Sequence, residues 1–188
     1  MQAFLISTGI VALAEMGDKT QLLALVLAAR FKKPWPIVLG IFVATVLNHA
    51  MAGALGAWVT TQISPQTLRY ILGASFIAMA VWMLIPDKLD DEAGSKKPPL
   101  TAIGVFGTTT ALFFLAEMGD KTQIATVMLA ARFDAYLAVV AGTTLGMMLA
   151  NAPVVWLGER MTRPVPLRVV HVVSAAIFLG LGLWALLS

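Results

Sequence analysis

The chain has 188 residues, of which 59% are hydrophobic and only 12% charged. Soluble domains average about 25% charged residues, so an ordinary water-soluble domain is excluded and a polytopic helical membrane protein is indicated. The formal net charge of +3 comes with no basic patch interleaved with aromatics, which argues against nucleic-acid binding, and the absence of cysteine excludes thiol ligation, disulfides and cysteine catalysis.

A spanning helix needs about 20 apolar residues. Six segments qualify, at roughly 4–28, 36–60, 68–86, 101–129, 136–157 and 167–187. No Lys or Arg precedes the first, so it lacks the basic region of a signal peptide and reads as a retained helix. It carries LAEMGDKTQ at Leu13–Gln21. Glu15 and Asp18, three residues apart, would share a helix face, with Lys19 on the adjoining arc and Gln21 continuing the polar side. Gly17 either lets another helix approach or permits a local break that frees backbone carbonyls. Arg30-Phe31-Lys32-Lys33-Pro34 ends this segment.

The second segment has Asn48 and His49 mid-way, and Ser64-Pro65 separates it from the third. Residues 87–99 follow as a polar linker, and its Asp87, Asp90, Asp91 and Glu92 read as a solvated acidic stretch. The fourth segment repeats LAEMGDKTQ at Leu115–Gln123, and Leu27–Phe31 (LAARF) recurs as Leu129–Phe133. Across residues 13–31, 14 of 19 positions match those 102 further on, so the chain is an internal duplication. Arg132-Phe133-Asp134 leads to the fifth segment, where Asn151 aligns with His49 and Gly142-x-x-x-Gly146 is a weak packing signal. Glu159–Pro166 precedes the sixth, which has His171 near its start at the membrane interface. At the same offset Gly40 matches Gly142, Gly56 matches Gly158, Phe76 matches Phe178 and Trp82 matches Trp184. The tryptophans at 35, 58, 82, 156 and 184 fall near segment ends, as interface anchors do.

The fold expected is all-α, with six transmembrane helices in two three-helix repeats at 1–86 and 100–188. Three spans is an odd number, so the second repeat enters from the opposite side, an inverted repeat of the kind used by secondary transporters. Loops one, three and five carry nine Lys and Arg: Arg30, Lys32, Lys33, Lys88, Lys96, Lys97, Arg160, Arg163 and Arg168. Loops two and four carry Arg69 and Arg132. The positive-inside rule then puts both termini outside and the linker in the cytoplasm.

A charge at the bilayer centre costs about 2.5–3.5 kcal/mol on the insertion scale. Glu15, Asp18, Glu117 and Asp120 must therefore be compensated. Lys19 and Lys121 can pair with neighbouring acids, which is the structural account of the motif. Two negative charges are left over, which suits one divalent cation or two protons. Oxygen donors favour Mg, Ca and Mn, and the lack of Cys and of a His cluster argues against zinc or copper. The candidate metal ligands are Glu15, Asp18, Gln21, Asn48, Glu117, Asp120, Gln123 and Asn151. Thr20 and Thr122 are further oxygen donors, and His49 is a proton handler or a packing residue. Met16 and Met118 read mainly as packing residues.

The doubled E-x-G-D-K-T, at Glu15–Thr20 and Glu117–Thr122, resembles the signature of the uncharacterised protein family 0016. This family is also called the Gdt one-type family of calcium/manganese transporters. The resemblance covers essentially the whole chain and is closest to bacterial manganese exporters of the MneA type. It implies six helices in two inverted halves and assigns the acidic pairs to Glu15, Asp18, Glu117 and Asp120. It also implies efflux of Mn²⁺, with Ca²⁺ as the alternative, coupled to protons. The expected protein is a transporter and not an enzyme, with no cofactor. Its expected partners are the divalent ion and protons, the lipid of an inner (plasma) membrane, and a second copy in a homodimer. A passive cation channel and an amino-acid exporter are the rival transport classes. An intramembrane aspartyl protease fits worse, because the acids are followed by Lys.

Overall fold

The computed structural model describes residues 1–82, 84, 101–157 and 167–187, which form eight α-helices and no strand. These are α1 (Gln2–Glu15), α2 (Lys19–Phe31), α3 (Pro34–Gln62), α4 (Pro65–Trp82), α5 (Ala102–Glu117), α6 (Lys121–Phe133), α7 (Tyr136–Leu157) and α8 (Leu167–Leu187). The expected linker at 87–99, Gly158, and the loop residues Arg160 and Arg163 lie outside the described residues, as do the side chains of Arg168 and His171.

Two of the six expected spans are not continuous helices. The stretch 4–28 is split into α1 and α2, and 101–129 into α5 and α6, the latter pair bent by 71°. The cause is local. Gly17 and Gly119 adopt φ of +80° and +76°, a conformation that a residue with a Cβ avoids. Each is followed by an extended aspartate, Asp18 at ψ 168° and Asp120 at ψ 169°. The expectation that Glu15 and Asp18 share one face of a helix, continued by Lys19 and Gln21, is therefore corrected: Glu15 ends one helix and Asp18 holds the N-cap position of the next. Of the two roles open to the glycine, the break is the one used. A Cβ on Gly119 would meet nothing within 4 Å, so no helix presses on it.

α3 and α7 are each long and apolar enough to cross a membrane, and α5 with α6 passes as a third span if taken together. α3 exposes Leu39, Phe42, Leu47, Met51 and Leu55, an apolar surface suited to lipid contact.

The two halves are not separate bundles. α1 packs chiefly on α7, and α5 chiefly on α3. α2 leans on α7, α6 leans on α3, and α4 pairs with α8. Glycines explain the close approach. A Cβ on Gly142 of α7 would lie 2.5 Å from the Phe4 carbonyl oxygen and 3.1 Å from Ser7 Cβ of α1. One on Gly40 of α3 would lie 3.0 Å from the Phe106 carbonyl oxygen and 2.8 Å from Thr109 Cβ of α5. Phe4 and Phe106, like Ser7 and Thr109, are 102 positions apart, so both halves make the same contact. A Cβ on Gly146 would come 2.6 Å from the Thr8 carbonyl oxygen. The weak Gly142-x-x-x-Gly146 signal is thus the seat of α1. The repetition extends to the ends of α2 and α6, where Lys32 and Asp134 occupy the left-handed region at φ 52° and 45°.

Candidate metal centre

Breaking a helix strands the polar groups of the backbone at the break. Here the motif's own side chains satisfy several of them, identically in both halves. The Gly17 N–H donates to Gln21 Oε1 at 2.9 Å, and the Gly119 N–H donates to Gln123 Oε1 at 2.7 Å. Asp18 N–H donates to the Glu15 carbonyl and Asp120 N–H to the Glu117 carbonyl, each at 3.1 Å. Gln21 Nε2 also donates to the Ala150 carbonyl of α7 at 3.0 Å, pinning the first break to the other half. Asn48 of α3 plays a comparable part. Met118 N–H turns to the Leu115 carbonyl, and Asn48 Nδ2 donates to the Phe114 carbonyl at 3.1 Å.

The glutamates are oriented by threonines. Thr20 Oγ1 donates to Glu15 Oε2 at 2.6 Å, and Thr122 Oγ1 donates to Glu117 Oε2 at 2.8 Å. Short hydroxyl–carboxylate contacts of this kind are strong. They occupy one oxygen of each carboxylate. Glu15 Oε1 and Glu117 Oε1 are buried without a hydrogen-bond partner among the described residues. Neither Asp18 nor Asp120 uses its carboxylate to cap its helix, although both hold the N-cap position.

Glu15, Asp18 and Asp120 each present an oxygen such that all three lie within 4.8 Å of one another, all buried. The cluster draws on both halves. Glu117 stands outside that group of three but near enough to repel Glu15 and to attract Lys19. Lys19 Nζ lies 3.5 Å from Asp120 Oδ2, so the lysine of the first motif pairs with the aspartate of the second.

The other candidates are placed as follows. Gln21 and Gln123 are engaged through their amide oxygens at the breaks. Asn151 donates to the Met147 carbonyl and Sδ at 3.2 and 3.0 Å. Asn48 Oδ1, Asn151 Oδ1 and both ring nitrogens of His49 are buried with no hydrogen-bond partner among the described residues. The motif methionines Met16 and Met118 are exposed. Thr20 and Thr122, the further oxygen donors, each donate the hydroxyl proton to the glutamate of their own motif. A spacing of five residues does not bring side chains together on a continuous helix. Only the break makes that contact, so the signal was present but needed the glycine read correctly.

A hard-oxygen site of this composition, buried between helices, suits a divalent cation such as Mn²⁺, Mg²⁺ or Ca²⁺. The model of the family described as "Divalent cation/proton antiporter GDT1" matches residues 3–91 and 105–188. A Vibrio cholerae protein named "Putative manganese exporter" is 49% identical over 184 residues, covering 97% of this chain and 90% of its own length. A GDT1-like protein of Synechocystis is 26% identical, over 95% of this chain and 93% of its own. A GDT1-like protein of Arabidopsis thaliana is 25% identical, over 100% and 96%. No solved structure matches the chain.

Proposed function

The chain belongs to the GDT1 family of divalent cation/proton antiporters, and from that premise we propose that it exports Mn²⁺ in exchange for protons through the buried carboxylate site. The family is one of transporters. The observation that carries the reading is the convergence of Glu15, Asp18 and Asp120 oxygens within 4.8 Å, from both halves of a duplicated chain. The manganese in the name of the 49% identical relative supports Mn²⁺ over Ca²⁺ as the preferred substrate.

In the proposed cycle the ion enters from the cytoplasm, sheds part of its water and is held by Glu15, Asp18 and Asp120, with Glu117 adding negative charge beside it. Asn48 of α3 and Asn151 of α7 supply buried amide oxygens. When the ion leaves on the far side, protons neutralise the carboxylates that it abandons, and the protonated site returns. The six spans are the broken pairs α1–α2 and α5–α6 together with α3, α4, α7 and α8, in inverted halves with both termini outside an inner membrane.

The packing supports a particular partition of moving bodies. Each broken helix rests on the long helix of the other half. The bodies proposed are therefore α1–α2–α7 and α3–α5–α6, with the carboxylates at their junction.

The test is Mn²⁺ and Ca²⁺ uptake into proteoliposomes containing a lumenal pH dye, for the intact protein and Asp120→Asn. Saturable Mn²⁺ flux with opposite proton movement, lost in the variant, is the expected result. Flux without proton movement would replace the antiporter by a uniporter or channel, and equal flux in Asp120→Asn would remove the carboxylate site from the mechanism.

A further inference from the structure

The Lys19–Asp120 ion pair engages one of the carboxylates that would receive the cation. We propose that Lys19 is a tethered competitor of the transported ion: its ammonium neutralises Asp120 while the site is empty and gives way when a divalent ion enters. This inference rests on the transport reading of the same site.

Four observations support it. Asp120 is one of the three acids whose oxygens converge. The Lys19 Nζ to Asp120 Oδ2 distance is 3.5 Å, longer than the roughly 2.7–2.9 Å of a tight charge-assisted contact, so the pair is not locked. The Lys19 side chain is 27% exposed against 3% for Asp120, so the lysine is the less enclosed partner of the pair. Glu117 and Asp18 also attract Lys19, so one ammonium answers to three carboxylates.

The chemistry favours a lysine. Its ammonium is a compact, strongly hydrated point charge on a flexible stem, much closer to a metal ion in behaviour than a planar guanidinium. Lys19 is the first residue of α2, directly after the break, so its backbone is held while the side chain swings. A divalent ion among the three oxygens would repel the ammonium, and the ammonium in turn weakens the ion's hold. That competition keeps the empty acids from facing each other bare and lets the cargo leave.

The experiment compares intact protein, Lys19→Gln and Lys19→Arg. Mn²⁺ binding in detergent is read from the electron paramagnetic resonance signal of the free aquo ion, and Mn²⁺ concentration dependence of flux is read in proteoliposomes. In Lys19→Gln, Kd and KM should fall roughly tenfold, the scale of one lost charge-assisted contact, and kcat should fall with them because release slows. In Lys19→Arg the forked guanidinium holds Asp120 more firmly and Kd should rise. An unchanged or raised Kd in Lys19→Gln overturns the proposal, as does an unchanged Kd in Lys19→Arg should the Gln variant not fold. Mn²⁺ binding by the intact protein without flux would count against antiport while the binding comparison still decides the role of Lys19. No Mn²⁺ binding by the intact protein would overturn both.

Discussion

Phe76 of α4 and Phe178 of α8 pack ring against ring, with centroids 6.1 Å apart and planes inclined at 34°. The two positions are copies of one another at the offset of 102. α4 and α8 are joined also by a close approach of Gly73 and Gly182, where a Cβ on Gly182 would lie 2.9 Å from the Gly73 carbonyl oxygen. A double-mutant cycle with Phe76→Leu and Phe178→Leu, measured by thermal denaturation in detergent, should give a coupling of about 0.5–1.5 kcal/mol. Additive effects would show that the rings do not interact.

Gly146→Val should disrupt the docking of α1 on α7. Its Cβ would sit 2.6 Å from the Thr8 carbonyl oxygen and 2.9 Å from the Ala12 nitrogen, and backbone cannot move aside as a flexible side chain can. Overpacking of this kind typically costs about 1–3 kcal/mol. Gly9→Ala and Gly180→Ala are the controls, since a Cβ at either meets nothing within 4 Å. Melting temperature followed by size-exclusion fluorescence should drop for Gly146→Val alone.

Gly119→Ala separates strain from crowding. The site has room for a methyl group, but φ is +76°. The variant should lose roughly 1–2 kcal/mol from the left-handed conformation alone. Because the strain falls on the break that presents Asp120, transport should fall more than the loss of folded protein explains. Flux per folded molecule, normalised by size-exclusion yield, checks this.

Thr20→Val and Thr122→Val remove the hydroxyl that fixes one oxygen of Glu15 and Glu117. A wandering carboxylate should raise the KM for Mn²⁺ roughly tenfold, the scale of one hydrogen bond to a charged group. Serine at either position restores the hydroxyl and should restore most of the affinity. A KM unchanged by Thr20→Val would mean that the glutamate is held by other means.

Mn²⁺ itself should stabilise the fold. Binding to the native state alone at one hundred times Kd adds about 2.7 kcal/mol. The melting temperature should rise with Mn²⁺ and return on chelation, and Glu15→Gln should abolish the rise. A shift retained in Glu15→Gln would place the ion elsewhere.

Much of this was legible in the chain. The duplication, the helical segments and the burial of the charged motif follow from hydropathy and from repetition, and both are properties of neighbouring residues or of one stretch compared with another. Segment ends agree closely with the structure: 36–60 became Pro34–Gln62, and 136–157 became Tyr136–Leu157. The break was visible only as an alternative. A glycine beside buried acids fits a close helix contact as well as a kink, and hydropathy does not distinguish a continuous helix from a bent one.

What the sequence determined was which chemical groups would be buried, and that they would be buried twice. Which of them meet was decided by packing. Lys19 finds Asp120 in the other motif, and α1 finds α7 before any helix of its own half, because Gly142 and Gly146 let backbones approach there. Helical periodicity is set by hydrogen bonds within a few residues, whereas the choice of neighbour depends on surface shape across the whole fold. Only the assembled helices could bring three carboxylates together and place a lysine among them.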